Sequence, residues 1–108
     1  MTNEPNDLEE VLAIGRRKLA VQILRMLRDG SMRYTRVQHA VARASEDVVH
    51  PKTLTNTLNY LRDKRLVERH QDRHSTDYRL TPGGAALVDL LDEVERWIRE
   101  HRTDDDER

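Results

Sequence analysis

The sequence has 108 residues, enough for one domain around one core and little beyond it. It is 36% hydrophobic and 36% charged, with no Phe and no Cys. Disulfides, thiolate metal sites and cysteine redox sensing are therefore excluded, and the modest apolar content makes a core shared with a second copy an expectation. No apolar run nears the length of a membrane span, and residues 1–10 are acidic and polar, unlike a signal peptide, so a cytoplasmic location is expected.

The net charge of −1 conceals an uneven distribution. Residues 1–10 carry four acids and no base, residues 11–79 fifteen bases against seven acids, and residues 80–108 nine acids against four bases. A basic middle between acidic ends suits contact with phosphates in a way the net charge does not reveal.

Along the chain, residues 1–7 with Pro5 are expected to be flexible. Residues 8–14 predict a short helix capped by Asp7, with Glu9 and Glu10 where the helix dipole favours acids, and Gly15 predicts a break. From Arg16, the residues Leu19, Ile23, Met26 and Leu27 recur at helical spacing until Asp29-Gly30, where Gly30 would supply a left-handed cap. Ser31-Met32-Arg33 reads as a minor strand. Tyr34 or Thr35 then opens a helix with Val37, Ala40 and Val41 on one face, and residues 42–50 form a long turn.

Pro51 is suited to the first position of the next helix. Within it Leu54, Leu58 and Leu61 share a narrow arc directed at the core, and Lys52, Asn56, Asn59 and Asp63 lie opposite, flanked by Thr53, Thr55 and Tyr60. Residues 66–70 and 76–80 read as two strands joined by residues 71–75. Thr81 and Pro82 cap and open a last helix, whose first turn Gly83 and Gly84 weaken. Leu87, Leu90, Leu91, Val94, Trp97, Ile98 and His101 recur along it at intervals of three and four, and residues 103–108 are expected to be an acidic disordered tail. The predicted class is mainly α with a small β-hairpin (α+β). It is a winged helix-turn-helix over residues 8–102, with flanking N- and C-terminal dimerisation helices.

The face opposite the leucines carries the chemistry of base reading. Asn can pair both ways with the edge of adenine, Thr can hydrogen-bond or pack its methyl on thymine, and Lys can reach phosphate or guanine. Asn and Thr are poor helix formers, so their clustering costs helix stability for no evident structural return. Lys52, Thr53, Thr55, Asn56 and Asn59 are therefore the candidate DNA-reading residues. Arg69, Arg73 and His74 in the wing are candidates for phosphate or the minor groove, although Asp72 and Asp77 offset their charge. Arg33 and Arg36 are candidate phosphate clamps. The stripe Leu87, Leu90, Leu91, Val94, Trp97 and Ile98 is too wide for one small core, and a dimer seam with Leu8, Val11 and Leu12 of the partner would cover it. His70, Asp72, His74 and Asp77, and separately Glu93 and His101, are too loosely spaced to predict a metal site, and no cofactor is expected. No nucleophile–base set, phosphate loop or paired carboxylates is legible, so the chain is expected not to be an enzyme.

Several segments together resemble the HxlR-type winged helix-turn-helix regulators, and more loosely the MarR, PadR and ArsR groups. They are Arg17-Lys18-Leu19, Ile23-Leu24, Leu27, Gly30, Arg33-Tyr34, Pro51 to Leu58 with Leu61, Leu66-Val67-Glu68-Arg69, and Tyr78 to Gly84. The resemblance covers roughly residues 16–98. It implies a bacterial, cytoplasmic, homodimeric transcription factor that dimerises through its terminal helices. The helix over residues 51–64 would enter the major groove of a pseudo-palindromic operator, with the wing over residues 67–79 on the backbone or minor groove. The sequence departs from that pattern in lacking a sensing Cys, in Leu19 at a commonly aromatic position, in His50 where a Ser cap is common, in its long turn and in its short wing without proline. Two alternatives stay open: a winged-helix protein-interaction module, and a regulator responding to a small-molecule effector or metal through a pocket between the terminal helices and the core.

Overall fold

The structure, a computed structural model, describes residues 4–45 and 48–106. In chain order it comprises α1 (Glu4–Arg16), α2 (Lys18–Met26) with a 3-10 turn (Leu27–Asp29), β1 (Met32–Arg33), α3 (Tyr34–Ala44), α4 (Pro51–Asp63), β2 (Val67–Gln71), β3 (Thr76–Leu80) and α5 (Pro82–Asp106). The strands form one antiparallel sheet in the order β1-β3-β2. Met32 pairs with Tyr78 and Arg33 with Asp77 on one side of β3, and Val67 pairs with Leu80 through to Gln71 with Thr76 on the other. This is the winged helix-turn-helix read from the sequence, five helices with a small sheet.

The core gathers one or two apolar faces from each helix. Ile23 and Leu24 of α2, Val37 and Val41 of α3, and Leu54, Leu58 and Leu61 of α4 are fully or nearly fully buried, and Val67, Tyr78 and Val88 join them. Each such aliphatic side chain contributes about 1.5–3 kcal/mol by leaving water. Outside the core, Arg25 and Arg28 reach from α2 and the 3-10 turn to Asp92, and Arg25 also meets Glu95 at 3.0 Å, so that charge pairs pin α2 against α5. The hydrogen bond from Arg28 holds the Asp92 carboxyl below the ordinary carboxylate range.

Several boundaries differ from those the sequence predicts. α1 starts at Glu4 rather than Leu8, with Pro5 in the first turn, where a missing N–H is tolerated. Glu9 and Glu10 therefore sit in its middle rather than at a capped start. Gly15 stays helical, and the break falls at Arg17, whose φ/ψ of −87/98 is extended. Gly30 does have positive φ, but its φ/ψ of 144/176 is the extended region reserved for glycine, not the left-handed helical cap expected. α3 continues to Ala44, which shortens the following turn, and α5 runs to Asp106, beyond the expected end of the domain at residue 102. Within the long turn, Glu46 and Asp47 lie outside the described residues, as do residues 1–3 and 107–108 at the ends.

Two chain reversals fix the hairpin against the helices. At the end of α4 the Leu66 N–H donates to the Leu61 carbonyl and the Arg65 N–H to the Arg62 carbonyl, the pattern of a Schellman motif. Its left-handed position is filled by Arg65, at φ 63, rather than by glycine. At the start of α5 the Thr81 hydroxyl accepts from the Gly84 N–H at 2.9 Å and donates to the Arg65 carbonyl at 2.7 Å. One cap thereby ties the last helix to the end of α4. Gly84 allows the approach, because a Cβ there would lie 2.1 Å from the Leu66 carbonyl oxygen.

Candidate nucleic-acid interface

α4 buries its leucines and leaves the other side to solvent. Lys52, Thr53, Thr55, Asn56 and Asn59 are all exposed there. Among the described residues, the side chains of Lys52 and Asn56 form no hydrogen bond or ion pair, so their donors and acceptors are available. Asn59 differs, because its carbonyl oxygen accepts from Arg62 at 3.3 Å while its amide NH₂ stays unengaged. The Thr55 hydroxyl lies 3.2 Å from the Tyr34 hydroxyl. That bond joins the start of α3 to the exposed face of α4, whereas Arg33 and Arg36 line a hollow with Gly30, Ser31 and Asp77. Thr57 is half-buried and its hydroxyl donates back to the Thr53 carbonyl at 2.8 Å, which satisfies it within the helix.

The wing is shaped by a residue the sequence analysis weighed only as charge or as a possible ligand. Asp72 accepts from the backbone N–H groups of His74 at 2.9 Å and Ser75 at 3.0 Å, while its own N–H donates to the Ser75 carbonyl. These amide bonds stabilise the ionised form and lower the Asp72 pKa. A carboxylate so engaged is a turn builder. Arg73 and His74 stand exposed at the tip it forms, and Arg69, on β2, is exposed and reaches Gln71 at 3.1 Å. His70 and Asp77 face each other across the hairpin, and no group of His, Asp and Glu fit to hold a metal occurs among the described residues.

Two further basic contacts escaped the sequence analysis. The Arg17 guanidinium sits 3.9 Å from the centroid of the Tyr60 ring, and Lys64, hydrogen-bonded to Glu10, lies 5.6 Å from the same ring. The terminal helix α1 is thereby tied to the far end of α4. Only the placement of Tyr60 on the flank of α4 hinted at this.

The apolar stripe on the terminal helices divides. Leu87 belongs to the chain's own core, at 8% exposure, and Val88 beside it, absent from the predicted stripe, is wholly buried. Val11, Leu91 and Ile98 are half-buried. By contrast Leu8 (63%), Leu12 (51%), Leu90 (49%), Val94 (46%) and Trp97 (60%) remain open to water. The Trp97 ring also stacks on His101 at 4.6 Å.

α4 backed by leucines, α3 bonded to its flank and a hairpin with a built tip are the parts of a winged helix-turn-helix. The HxlR-like helix-turn-helix pattern matches residues 14–106, and the chain belongs to that family. It is thus a DNA-binding transcriptional regulator rather than an enzyme. No curated protein sequence matches it. Solved structures similar in fold include the transcriptional repressor BigR from Xylella fastidiosa (20% identity, 85% of this chain and 86% of that one, TM-score 0.69). A MarR-family transcriptional regulator from Porphyromonas gingivalis W83 (22% identity, 93% and 96%, TM-score 0.69) and RosR of H. salinarum (23%, 76% and 74%, TM-score 0.64) are also similar. No helix among the described residues is long and apolar enough to cross a membrane.

Proposed function

We propose that the protein is a homodimer that binds a pseudo-palindromic operator, with α4 of each protomer in the major groove and each wing on the backbone or minor groove. The observation that carries this reading is the exposed face of α4, where Lys52 and Asn56 stand unengaged opposite three buried leucines. Asn56 and Asn59 would read base edges, Lys52, Thr53 and Thr55 would support them, and Arg33, Arg36, Arg69, Arg73 and His74 would take phosphates. The two-fold symmetry of such a site would come from a seam of Leu8, Leu12, Leu90, Val94 and Trp97, whose exposure on one chain a partner would remove. Val11, Leu91 and Ile98 would border that seam, and Leu87 would support it from the core. The site of action would be the cytoplasm.

A small-molecule effector would suit a mainly apolar hollow. A hollow of 340 Å³ between α1 and the start of α5 is lined by Val11, Ile14, Leu66 and Leu87, with Glu10 and Lys64 at its edge.

Selection from a pool of random duplexes tests the main reading. The purified protein is expected to enrich one motif with two inverted halves and to bind it as two chains per duplex. Failure to enrich any sequence would overturn it.

A further inference from the structure

Two sets of arginines among the described residues differ in their partners. Arg25, Arg28, Arg79 and Arg96 each have a carboxylate partner. Arg33, Arg36 and Arg43, together with His39, have no ion pair or hydrogen bond among the described residues, and all four are exposed on α3 or the strand leading into it. Arg36, His39 and Arg43 recur at intervals of three and four, on the side of α3 away from the buried Val37 and Val41. They line an open cleft beside β1, made of two adjoining hollows that share Met32, Arg36 and His39. Its first part, of 840 Å³, is lined by Gly30, Ser31, Arg33, Thr35, Arg36 and His39 among others, with Asp29 and Asp77 also on its wall. It passes into a second hollow, of 400 Å³, that Arg36 and His39 share with Arg43.

The cleft is open and largely polar, which suits a flexible polyanion better than a compact apolar ligand. From Arg36 to Arg43 the helix rises about 10 Å, roughly the axial rise of three phosphates of one DNA strand. The same α3 is tied to α4 elsewhere, by the bond between Tyr34 at its start and Thr55. We propose that Arg36, His39 and Arg43, with the Ser31 hydroxyl, hold a second stretch of the sugar-phosphate backbone that adjoins the one at Arg33. The duplex is then contacted along the whole of α3, beyond the reach of α4 and the wing. This rests on the DNA-binding reading above and assigns His39 and Arg43 roles in it.

The test uses the whole 108-residue chain and a duplex of about 40 base pairs, roughly four turns, that the wild type itself selects from random DNA. Binding is followed by fluorescence anisotropy across a salt series. Contacts are mapped by hydroxyl-radical footprinting of the backbone and methylation protection of guanine N7 in the major groove. Arg36→Gln/Arg43→Gln is expected to weaken binding about five- to tenfold at low salt and to lower the salt slope by about 1.8, or 0.9 per lost contact. With His39→Gln/Arg43→Gln, which keeps Arg36, backbone protection is expected to vanish over about two consecutive sugars while guanine protection persists. Arg43→Lys should keep most of the slope that Arg43→Gln loses, since either cation neutralises a phosphate. Unchanged slope and footprint in these variants, with selectivity still lost in Asn56→Ala, would overturn the cleft proposal and leave the reading of α4 standing. If the wild type selects no sequence and binds without salt dependence, both fall.

Discussion

Gly84 and Gly83 are neighbours in the first turn of α5, yet their replacement by alanine is expected to act in opposite directions. In an exposed helix Gly→Ala normally stabilises by about 0.5–1 kcal/mol, because the unfolded chain loses freedom. At Gly83 a Cβ would meet the Thr81 hydroxyl oxygen at 3.7 Å and the Arg65 carbonyl oxygen at 3.8 Å, ordinary contacts, so the gain should survive. At Gly84 the Cβ would lie 2.1 Å from the Leu66 carbonyl oxygen, 3.0 Å from its carbon and 3.2 Å from Leu80 Cδ2. Relief needs more than 1 Å of movement by backbone, against an ordinary contact of about 3.5 Å. The same Leu66 oxygen accepts the Thr81 N–H at 3.0 Å, so the shift also strains that bond. Overpacking of about 1–3 kcal/mol and about 1 kcal/mol for the weakened hydrogen bond outweigh the alanine gain. The net expectation is a loss of about 1–3.5 kcal/mol, or roughly 5–20 °C in Tm for a chain of this size. Thermal and urea unfolding by circular dichroism, at one fixed protein concentration because association shifts the midpoint, compares the two variants. Gly84→Ala at or above wild-type stability would refute the close approach between α5 and the α4–β2 corner.

Three further outcomes follow from the same structure. Arg65→Gly should raise stability by about 0.5–1 kcal/mol, since relief of the left-handed conformation exceeds the added freedom of glycine when unfolded. Arg65→Val should lower it, and urea midpoints decide both. The wing tip should loosen in acid. Folding lowers the Asp72 pKa below its ordinary 3.8, so its stabilisation is complete above that value and is lost as pH falls through the lower folded one. The His74 and Ser75 amide resonances should report this by NMR, and Asp72→Asn should flatten the response. Val94→Asp/Trp97→Asp should convert a dimer to a monomer in sedimentation equilibrium. A wild type that is monomeric at the concentrations that bind DNA would contradict the proposed seam.

What the sequence disclosed and what it hid divide along sequence separation. The leucine arc of α4 and the Thr81–Pro82 helix start were legible, because spacing and capping are local. The Tyr34–Thr55 bond, the Arg17–Tyr60 stack and the Arg25 and Arg28 pairs with α5 join residues 21 to 67 positions apart, and nothing local encodes them. Gly84 read as a weakness in its helix because its neighbour is the backbone of Leu66, invisible in one dimension. Asp72 read as a charge or a ligand, whereas a four-residue turn between paired Gln71 and Thr76 turns its carboxylate onto amides. His39 and Arg43 carry no signal in the sequence that sets them apart from other bases. The free edge of β1 makes them part of one cleft with Arg36.

The central claim is that the unengaged face of α4 reads bases. Its most direct test is the base preference of Asn56→Ala, measured by anisotropy against the wild-type-selected duplex and against single base-pair changes of it. The account predicts that the variant loses about 1–3 kcal/mol of discrimination at one base pair in each half-site, with its salt slope unchanged. Discrimination equal to that of the wild type at every position would contradict it.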